Sequence, residues 1–361
     1  MNNSRLTTPS LHIAVVGAGM AGVTAARTLV QAGHRVTLFE KSRGFGGRMA
    51  TRRTEFGGFD HGVQYFTVRD PRFEKVLRAT ATSAVRAWSA STVRVLDEFG
   101  HVLASAPPPT EPHFVAAPGM NALVSLWAQP LLKPELHGLS GAQVLLQTHV
   151  NRIERDALNE AQWQLRCDDE DGGLRVLGGF DRVVLAIPHP QAHDLLLASG
   201  LAPALRQALA PVHVAPCWTL MVAFPQAMQP GLAHLGPQWS AARSTHHRIS
   251  WLARESSKPA REPIERWTVQ ASPAWSTKHL EDDAERVKAK LLKGFAEITG
   301  IRATPPHAVV HRWRFAQTQT PLGRSHLLDE KLGIGLCGDW CLGHRVEDAF
   351  ISGLELALAL A

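Results

Sequence analysis

The chain has 361 residues, of which 45% are hydrophobic and 19% charged, and its formal net charge is +6. These are proportions of a globular protein, and at roughly 150 residues per domain the length implies two domains. No apolar run approaches the roughly 18 residues of a membrane span, so no membrane-spanning helix is expected. The first ten residues, MNNSRLTTPS, lack a basic stretch followed by an apolar one. They read as a frayed leader rather than a secretory signal, and the protein as cytoplasmic.

A pI near 9.4 raises nucleic acid as a partner. The basic residues are spread along the chain without a recognition motif, so none is expected. What remains is a surface rich in arginine, or a cleft for polyanionic small molecules. The four cysteines, Cys167, Cys217, Cys337 and Cys341, are too few and too scattered for a disulfide framework. Cys337 and Cys341 are four apart, which is not a zinc-ribbon spacing, so buried thiols and no metal are expected.

In chain order, Leu11 to Glu40 reads as strand, tight turn, helix, strand. Ile13, Val15 and Val16 form the first apolar run. Gly17-Ala18-Gly19-Met20-Ala21-Gly22 then carries the G-x-G-x-x-G spacing, Val23 to Ala32 favours helix, and Gly33 suits its C-terminal end. In this pattern the first glycine permits a tight turn, the second lets backbone approach a pyrophosphate, and the third lets helix and strand pack closely. The helix N-terminus supplies free N–H groups and a positive dipole. Glu40, eighteen positions after Gly22, closes the second strand, near the spacing of about 20 for the acid that binds a ribose 2′-OH. The loop that follows, with Lys41, Gly44, Gly46 and Gly47, is crowded by Arg43, Arg48, Arg52 and Arg53. Guanidinium groups bind phosphate in bidentate fashion, so this loop belongs beside the first phosphate turn.

These motifs carry a resemblance. GAGMAG, the acid at the end of the second strand and the following G-x-G-G-R-M resemble flavoproteins of the amine-oxidase and p-hydroxybenzoate-hydroxylase-like superfamily. The resemblance implies that Arg48, with Gly47 and Met49 beside it, touches the pyrophosphate of FAD. It also implies that the segment His61-Gly62-Val63-Gln64 passes along the flavin ring. Gln64 and Tyr65, the chain's sole tyrosine, could hydrogen-bond to or stack on a ring system.

Further on, Trp88 to Pro109 reads as short strands, broken by Pro107-Pro108-Pro109. A helix is expected to open at Ala116 to Leu123 and run through Trp127, and one strand is expected from Val144 to Ile153. In the superfamily that strand end sits over the adenine, with a backbone contact near Val150. Trp163 to Val176 reads as two antiparallel strands around Asp171-Gly172-Gly173. Phe180 to Pro188 reads as a buried strand. His189 to about His307 is the expected second domain, with strands at Trp218–Phe224, Ile249–Ala253 and Trp267–Ala271. An amphipathic helix is expected from Asp282 to Ile298. Trp218, Trp239, Trp251, Trp267 and Trp275 gather there with His246, His247 and His279, and several on one sheet could form the wall of an aromatic pocket. Ile334 to Cys337 reads as the last strand, followed by Gly338-Asp339 and a helix that begins near Arg345, with Val346, Ala349, Phe350, Gly353 and Leu354 as its inner stripe.

The phrases WLARESSKP and ASPAWSTKHL, with GFGGRMATRR, FDHGVQYFT and the C-terminal segment, look like the renalase family and its bacterial relatives, from about Ile13 to Leu358. The resemblance implies an α/β fold in which a discontinuous Rossmann-like FAD-binding domain (1–75, 115–190 and 308–361) carries a second mixed-sheet substrate domain (76–114 and 191–307). Gly338 and Asp339 would bind the ribityl and phosphate region. The helix N-terminus at Arg345, Val346, Glu347 and Ala349 would point at flavin N1 and the C2 carbonyl, where its dipole stabilises negative charge by about 0.3–2 kcal/mol. Glu347 and Asp348 also suit plain capping. The implied activity is oxidation of 2- and 6-dihydro isomers of NAD(P)H: a hydride passes to flavin N5, and dioxygen then takes the electrons to give hydrogen peroxide. FAD would be non-covalent, since the surroundings of Cys337 do not copy a covalent-attachment segment. Candidate substrate contacts are Gln64, Tyr65, His246, Trp251 and Trp275, in a monomer or weak dimer.

Two rival readings are a flavin amine oxidase and a non-catalytic FAD-binding protein. Amine oxidases place a lysine near N5. Lys258 and Lys278 are the only lysines between Lys133 and Lys288, and both sit in polar turns that do not read as buried.

Overall fold

The computed structural model describes residues 9–88, 93–103, 111–137, 141–168, 172–228 and 239–361. The expected triprolyl break at 107–109 and Asp171 of the predicted turn lie outside them. The chain runs β1 (His12–Val16), α1 (Met20–Gln31), β2 (Arg35–Phe39), β3 (Arg52–Thr54), β4 (Gly57–Phe59), α2 (Pro71–Thr80), β5 (Val85–Trp88), β6 (Val93–Leu96) and β7 (His113–Ala116). It continues through α3 (Asn121–Leu132), β8 (Ala142–Leu145), β9 (His149–Arg155), β10 (Trp163–Asp168), β11 (Leu174–Phe180), β12 (Arg182–Leu185), α4 (His189–Ala198) and α5 (Pro203–Ala208). The second half adds β13 (His213–Phe224), β14 (Ala241–Ser244), β15 (Ile249–Arg254), β16 (Glu265–Ala271), α6 (Pro273–Lys278) and α7 (Ala284–Thr299). It closes with β17 (His307–Thr320), β18 (Leu327–Asp329), β19 (Ile334–Leu336) and α8 (Val346–Leu360).

Two six-stranded sheets organise the molecule. The first, ordered β18-β19-β12-β1-β2-β8, is parallel apart from β18. Its strands are continuous apolar runs because both faces are covered. Ile13 and Val15 point into a core shared with α1, α3 and α8, and Ala14 and Val16 into one shared with β9–β11 and α4. Helix α1 ends as expected: Gly33 takes φ +92° and donates to the Val30 carbonyl, which a side chain with a Cβ would resist. A Cβ on Gly353 would lie 2.2 Å from the Ala21 carbonyl oxygen, so α8 meets α1 backbone to backbone and the chain ends close on each other.

The second sheet, ordered β17-β13-β16-β15-β14-β6, packs one face on α7 through Val287, Leu291, Phe295 and Ile298, the stripe expected from periodicity. Three expectations need correcting. The single strand from Val144 to Ile153 is two: Gln147 takes φ +53°, and the chain turns from β8 in the parallel sheet to β9 in a separate β11-β10-β9 sheet. The helix expected at Ala116 begins at Asn121, since Ala116 ends β7 and Pro118 follows. Segment 308–361, expected wholly in the nucleotide domain, gives its first strand β17 to the other sheet, where it pairs with β13.

Candidate active site

The glycine turn has the geometry its spacing implies. Gly17 takes φ +103°, and a Cβ there would lie 2.5 Å from the Ala186 carbonyl oxygen. A Cβ on Gly22 would lie 1.8 Å from the Gly17 carbonyl oxygen, so helix and strand touch as backbones. Gly19 caps α1 without a side-chain hydrogen bond, and no acid occupies the first turn. The dipole there is unneutralised, as an anion site requires. Ala18, Met20 and Ala21 are buried between turn and core. Glu40 is buried at the end of β2, its carboxylate accepting from the Ala18 and Ser42 amides, each at 2.8 Å.

The arginine loop folds onto this turn. The Gly46 amide donates to the Ala18 carbonyl at 3.0 Å, and a Cβ on Gly47 would lie 3.3 Å from the Gly19 Cα, so two glycine backbones face each other. Lys41 and Arg43 are exposed, while Met49 is core. Arg48 reaches the other end of the chain, forking onto the Asp339 carboxylate with Nη1 to Oδ2 at 2.8 Å. The Thr148 amide donates to the Glu40 carbonyl, bringing β9 to the same corner. Val150 lies two residues on, its side chain in the core and its backbone opposite Cys167. Gly338 donates its amide to Ser352 of α8.

At the N-terminus of α8, Val346 is buried and Asp348 accepts from the Arg345 amide at 2.9 Å. The Ala349 amide donates to the Arg345 carbonyl. Glu347, expected to face the cofactor, instead holds the Arg69 and Asp70 amides at 2.7 and 3.1 Å, before α2. The Arg345 guanidinium reaches Thr67 at 3.1 Å.

Between the two sheets runs the segment Asp60 to Phe66. Gly62 is required there because a Cβ would lie 2.0 Å from the Arg48 carbonyl oxygen, which also accepts from the Val63 amide. His61 stacks on Trp313 with ring centroids 5.1 Å apart, and Trp313 donates to the His61 carbonyl. Burial first, and His311 second, push the His61 imidazole down to about 4, so it is neutral at pH 7.

The largest departure from the sequence reading is Lys258. It is only 2% exposed. Its ammonium donates to Asp60 Oδ2 at 3.1 Å, Gln64 Oε1 at 3.3 Å and Glu255 Oε1 at 3.1 Å, which uses all three of its protons. Arg261 adds a second cation to Asp60 at 2.8 Å, and Thr51 and the Met120 amide supply further bonds. Burial by itself would raise the Asp60 carboxyl, but Lys258 and Arg261 override it and hold it down to about 2. Glu255 is raised, by burial first and then by the negative charge of Asp60, with Lys258 opposing. Ser-Ser-Lys-Pro reads as solvated because Asp60 and Gln64, two of its three partners, are distant in sequence. Lys278, at the end of α6, is exposed as expected.

The five residues expected to contact substrate divide between two places. The Gln64 amide group donates to the Asp60 and Gly62 carbonyls and its oxygen takes Lys258, so it pins the segment. Tyr65 is half-buried, stacked on His113 with centroids 4.0 Å apart and 5.6 Å from Trp251. Trp88, which the sequence reading did not single out, completes this group at 6.3 Å. His246 and Trp275 must be withdrawn from it. They lie on the opposite face of the sheet, His246 3.2 Å from Glu297 of α7 and Trp275 in the core beneath that helix. Among the described residues no group of three or more His, Cys, Asp or Glu side chains is placed to hold a metal ion, and no helix is long and apolar enough to cross a membrane.

Comparison with known proteins agrees with this geometry. Residues 15–80 match the NAD(P)-binding Rossmann-like domain and residues 108–361 match flavin containing amine oxidoreductase. The chain therefore belongs to the flavin containing amine oxidoreductase family. It is 52% identical over 77 residues to an L-amino-acid oxidase of Bungarus fasciatus, covering 21% of this chain and 14% of that protein. With an L-amino-acid oxidase of Siganus canaliculatus it shares 50% identity over 50 residues, 14% of this chain and 10% of the other. The matched stretches thus span a small part of these relatives. A crystal structure from Exiguobacterium sp. 255-15, provisionally named a protoporphyrinogen oxidase, superimposes with a TM-score of 0.70 over 98% of this chain and 99% of that one, at 15% identity. At that identity the likeness is one of fold.

The family implies a flavin, and the residues fit one. An uncapped helix N-terminus, a carboxylate at the end of β2, and Arg48 and Asp339 meeting from opposite ends of the chain can hold a phosphate, a ribose and a polyol.

Proposed function

We propose that this protein is an oxidase that binds FAD non-covalently and takes a hydride from 2- or 6-dihydro-NAD(P), returning NAD(P)+ and hydrogen peroxide. The observation that carries the reading is Tyr65, Trp88, His113 and Trp251 grouped beside the segment that follows the glycine turn and arginine loop. Aromatic faces suit a planar pyridine ring. A bound flavin would supply the electron acceptor and the route to dioxygen. The chain's own part is position. Gly17, Gly19 and Gly22 would admit the pyrophosphate, Glu40 the ribose, and Arg48 a phosphate oxygen. The Asp60–Lys258–Gln64 bonds would keep the ring-facing segment fixed and dry. Hydride transfer needs no general base, and Lys258 is not free to be one, since its protons are committed to three acceptors.

Amino-acid oxidation is the second reading, favoured by the identity shared with L-amino-acid oxidases. Anaerobic mixing decides between them. Bleaching of the flavin within seconds by 6-dihydro-NAD is the expected result. Bleaching by L-amino acids, polyamines or catecholamines instead transfers the assignment to amine oxidation, and no reduction by any donor leaves a flavin-binding protein. Acid precipitation is expected to release the yellow colour into the supernatant. Colour retained in the pellet would contradict non-covalent binding.

A further inference from the structure

Around the segment 60–66, Lys258 bonds Asp60 and Gln64, and Arg261 Nη2 bonds Asp60 and the Ala116 carbonyl. His61 Nδ1 and Arg261 Nε are buried without a partner, and two further such nitrogens flank Tyr65. Trp251 and His113 are only 8% and 7% exposed, yet Trp251 Nε1 and His113 Nδ1 have no hydrogen-bond partner. Both rings flank Tyr65, whose hydroxyl donates to nothing among the described residues. Arg243 of β14 stands directly opposite Trp251 of β15 in the antiparallel ladder, so the two side chains share a face. It is exposed and has no carboxylate partner among the described residues. It is also close enough to His113 to add to the burial that lowers that imidazole.

The set is rich in donors. An indole N–H donates only, and a guanidinium offers five N–H groups and no acceptor. A buried donor left unpaired is costly, and a cation beside it draws negative charge. A protonated amine would meet the Arg243 guanidinium, and the nearby carboxylates already have cations: Asp60 and Glu255 pair with Lys258, and Glu111, which also acts on His113, pairs with Arg69 and Arg345.

We propose that Arg243, the Trp251 indole, the His113 imidazole and the Tyr65 hydroxyl form an oxyanion-binding subsite that receives the phosphate or carboxylate of the electron donor while its planar part lies against the Tyr65 and Trp251 rings. This deepens the oxidase reading, on which it rests for the word donor; the capacity to bind an anion stands apart from it. The subsite selects anionic donors and disfavours polyamines and catecholamines.

The test is calorimetric titration of flavin-saturated protein, in low salt, with inorganic pyrophosphate and separately with L-leucine. At least one is expected to bind, with affinity weakened about tenfold or more by Arg243→Gln and less by Trp251→Phe, as for loss of a charge-assisted bond against a neutral one. Tighter pyrophosphate binding assigns the site to a phosphate, and tighter leucine binding to a carboxylate. In turnover, Arg243→Gln is expected to lower about tenfold the ratio of kcat/KM for 6-dihydronicotinamide mononucleotide to that for the neutral 1-benzyl-1,6-dihydronicotinamide. Equal affinity for both probes in the parent and in Arg243→Gln, or no binding of either to the parent, overturns the subsite. If no donor reduces the flavin while Arg243→Gln still abolishes anion binding, the oxidase reading fails and the subsite stands.

Discussion

Replacing Lys258 with methionine is expected to destabilise the protein by about 3–5 kcal/mol, the cost of removing one partner from a buried ion pair. Both carboxylates it bonds have side chains that are fully buried. Arg261 would remain on Asp60, whereas Glu255 would keep only Thr268 and the Asp60 amide. The loss has a pH signature. In the parent protein Asp60 is held down to about 2 from its ordinary value of 3.8. It therefore contributes stability that is complete above pH 4 and lost as the pH falls toward 2. Without Lys258 that depression shrinks, and Glu255, already raised, rises further. The folded variant then takes up protons at a higher pH than the unfolded chain does, so its deficit is largest at pH 7 and smaller near pH 4. Urea unfolding at both pH values measures this. Adding Glu255→Gln is expected to recover part of the loss by removing the stranded charge. A deficit under about 1 kcal/mol at pH 7 would mean that the network does not hold the segment.

The second large effect is expected at the glycine turn. In Gly22→Ala the new methyl would lie 1.8 Å from the Gly17 carbonyl oxygen and 3.0 Å from its carbon. Both are backbone atoms, so no rotamer relieves the clash and α1 must lift off the turn. Forced overpacking costs about 1–3 kcal/mol in stability. The larger consequence is for binding, because the lifted helix no longer presents its N–H groups where Gly19 admits a phosphate. The variant is expected to purify colourless. Gly44→Ala is the control: it sits in the adjoining loop, a Cβ there meets open space, and its φ is not left-handed. It is expected to stay yellow, with an unchanged unfolding midpoint. Yellow Gly22→Ala protein with parental affinity would sink the assignment of this turn to the cofactor.

Much of the site was legible because it is local. The glycine turn, Glu40 and the arginine loop lie within one stretch of chain, and the glycine spacing marks the turn even though Gly17 meets its steric limit at Ala186, far along the sequence. The amphipathic helix α7 was legible for the same reason. Its apolar spacing names one face whatever covers it. The strands of the second sheet were legible as strands, but not in their facing. Alternation divides a strand into two sides without saying which side meets the other domain. The register shift between Ile249 and Trp251 further interrupts the count. Trp251 therefore joined Tyr65, while His246 and Trp275 went under α7.

What the sequence by itself determined is the glycine turn with Glu40 and the arginine loop, since these residues lie only a turn or a strand apart. What the tertiary structure alone decided is the environment of Lys258 and of Arg243. Lys258 finds Asp60 across 198 positions of sequence, and Arg243 gains its neighbours only when β14 pairs with β15 and the sheet closes on Tyr65. The burial and partners of a charge are set by segments far from it in sequence, and these come together only when the chain folds.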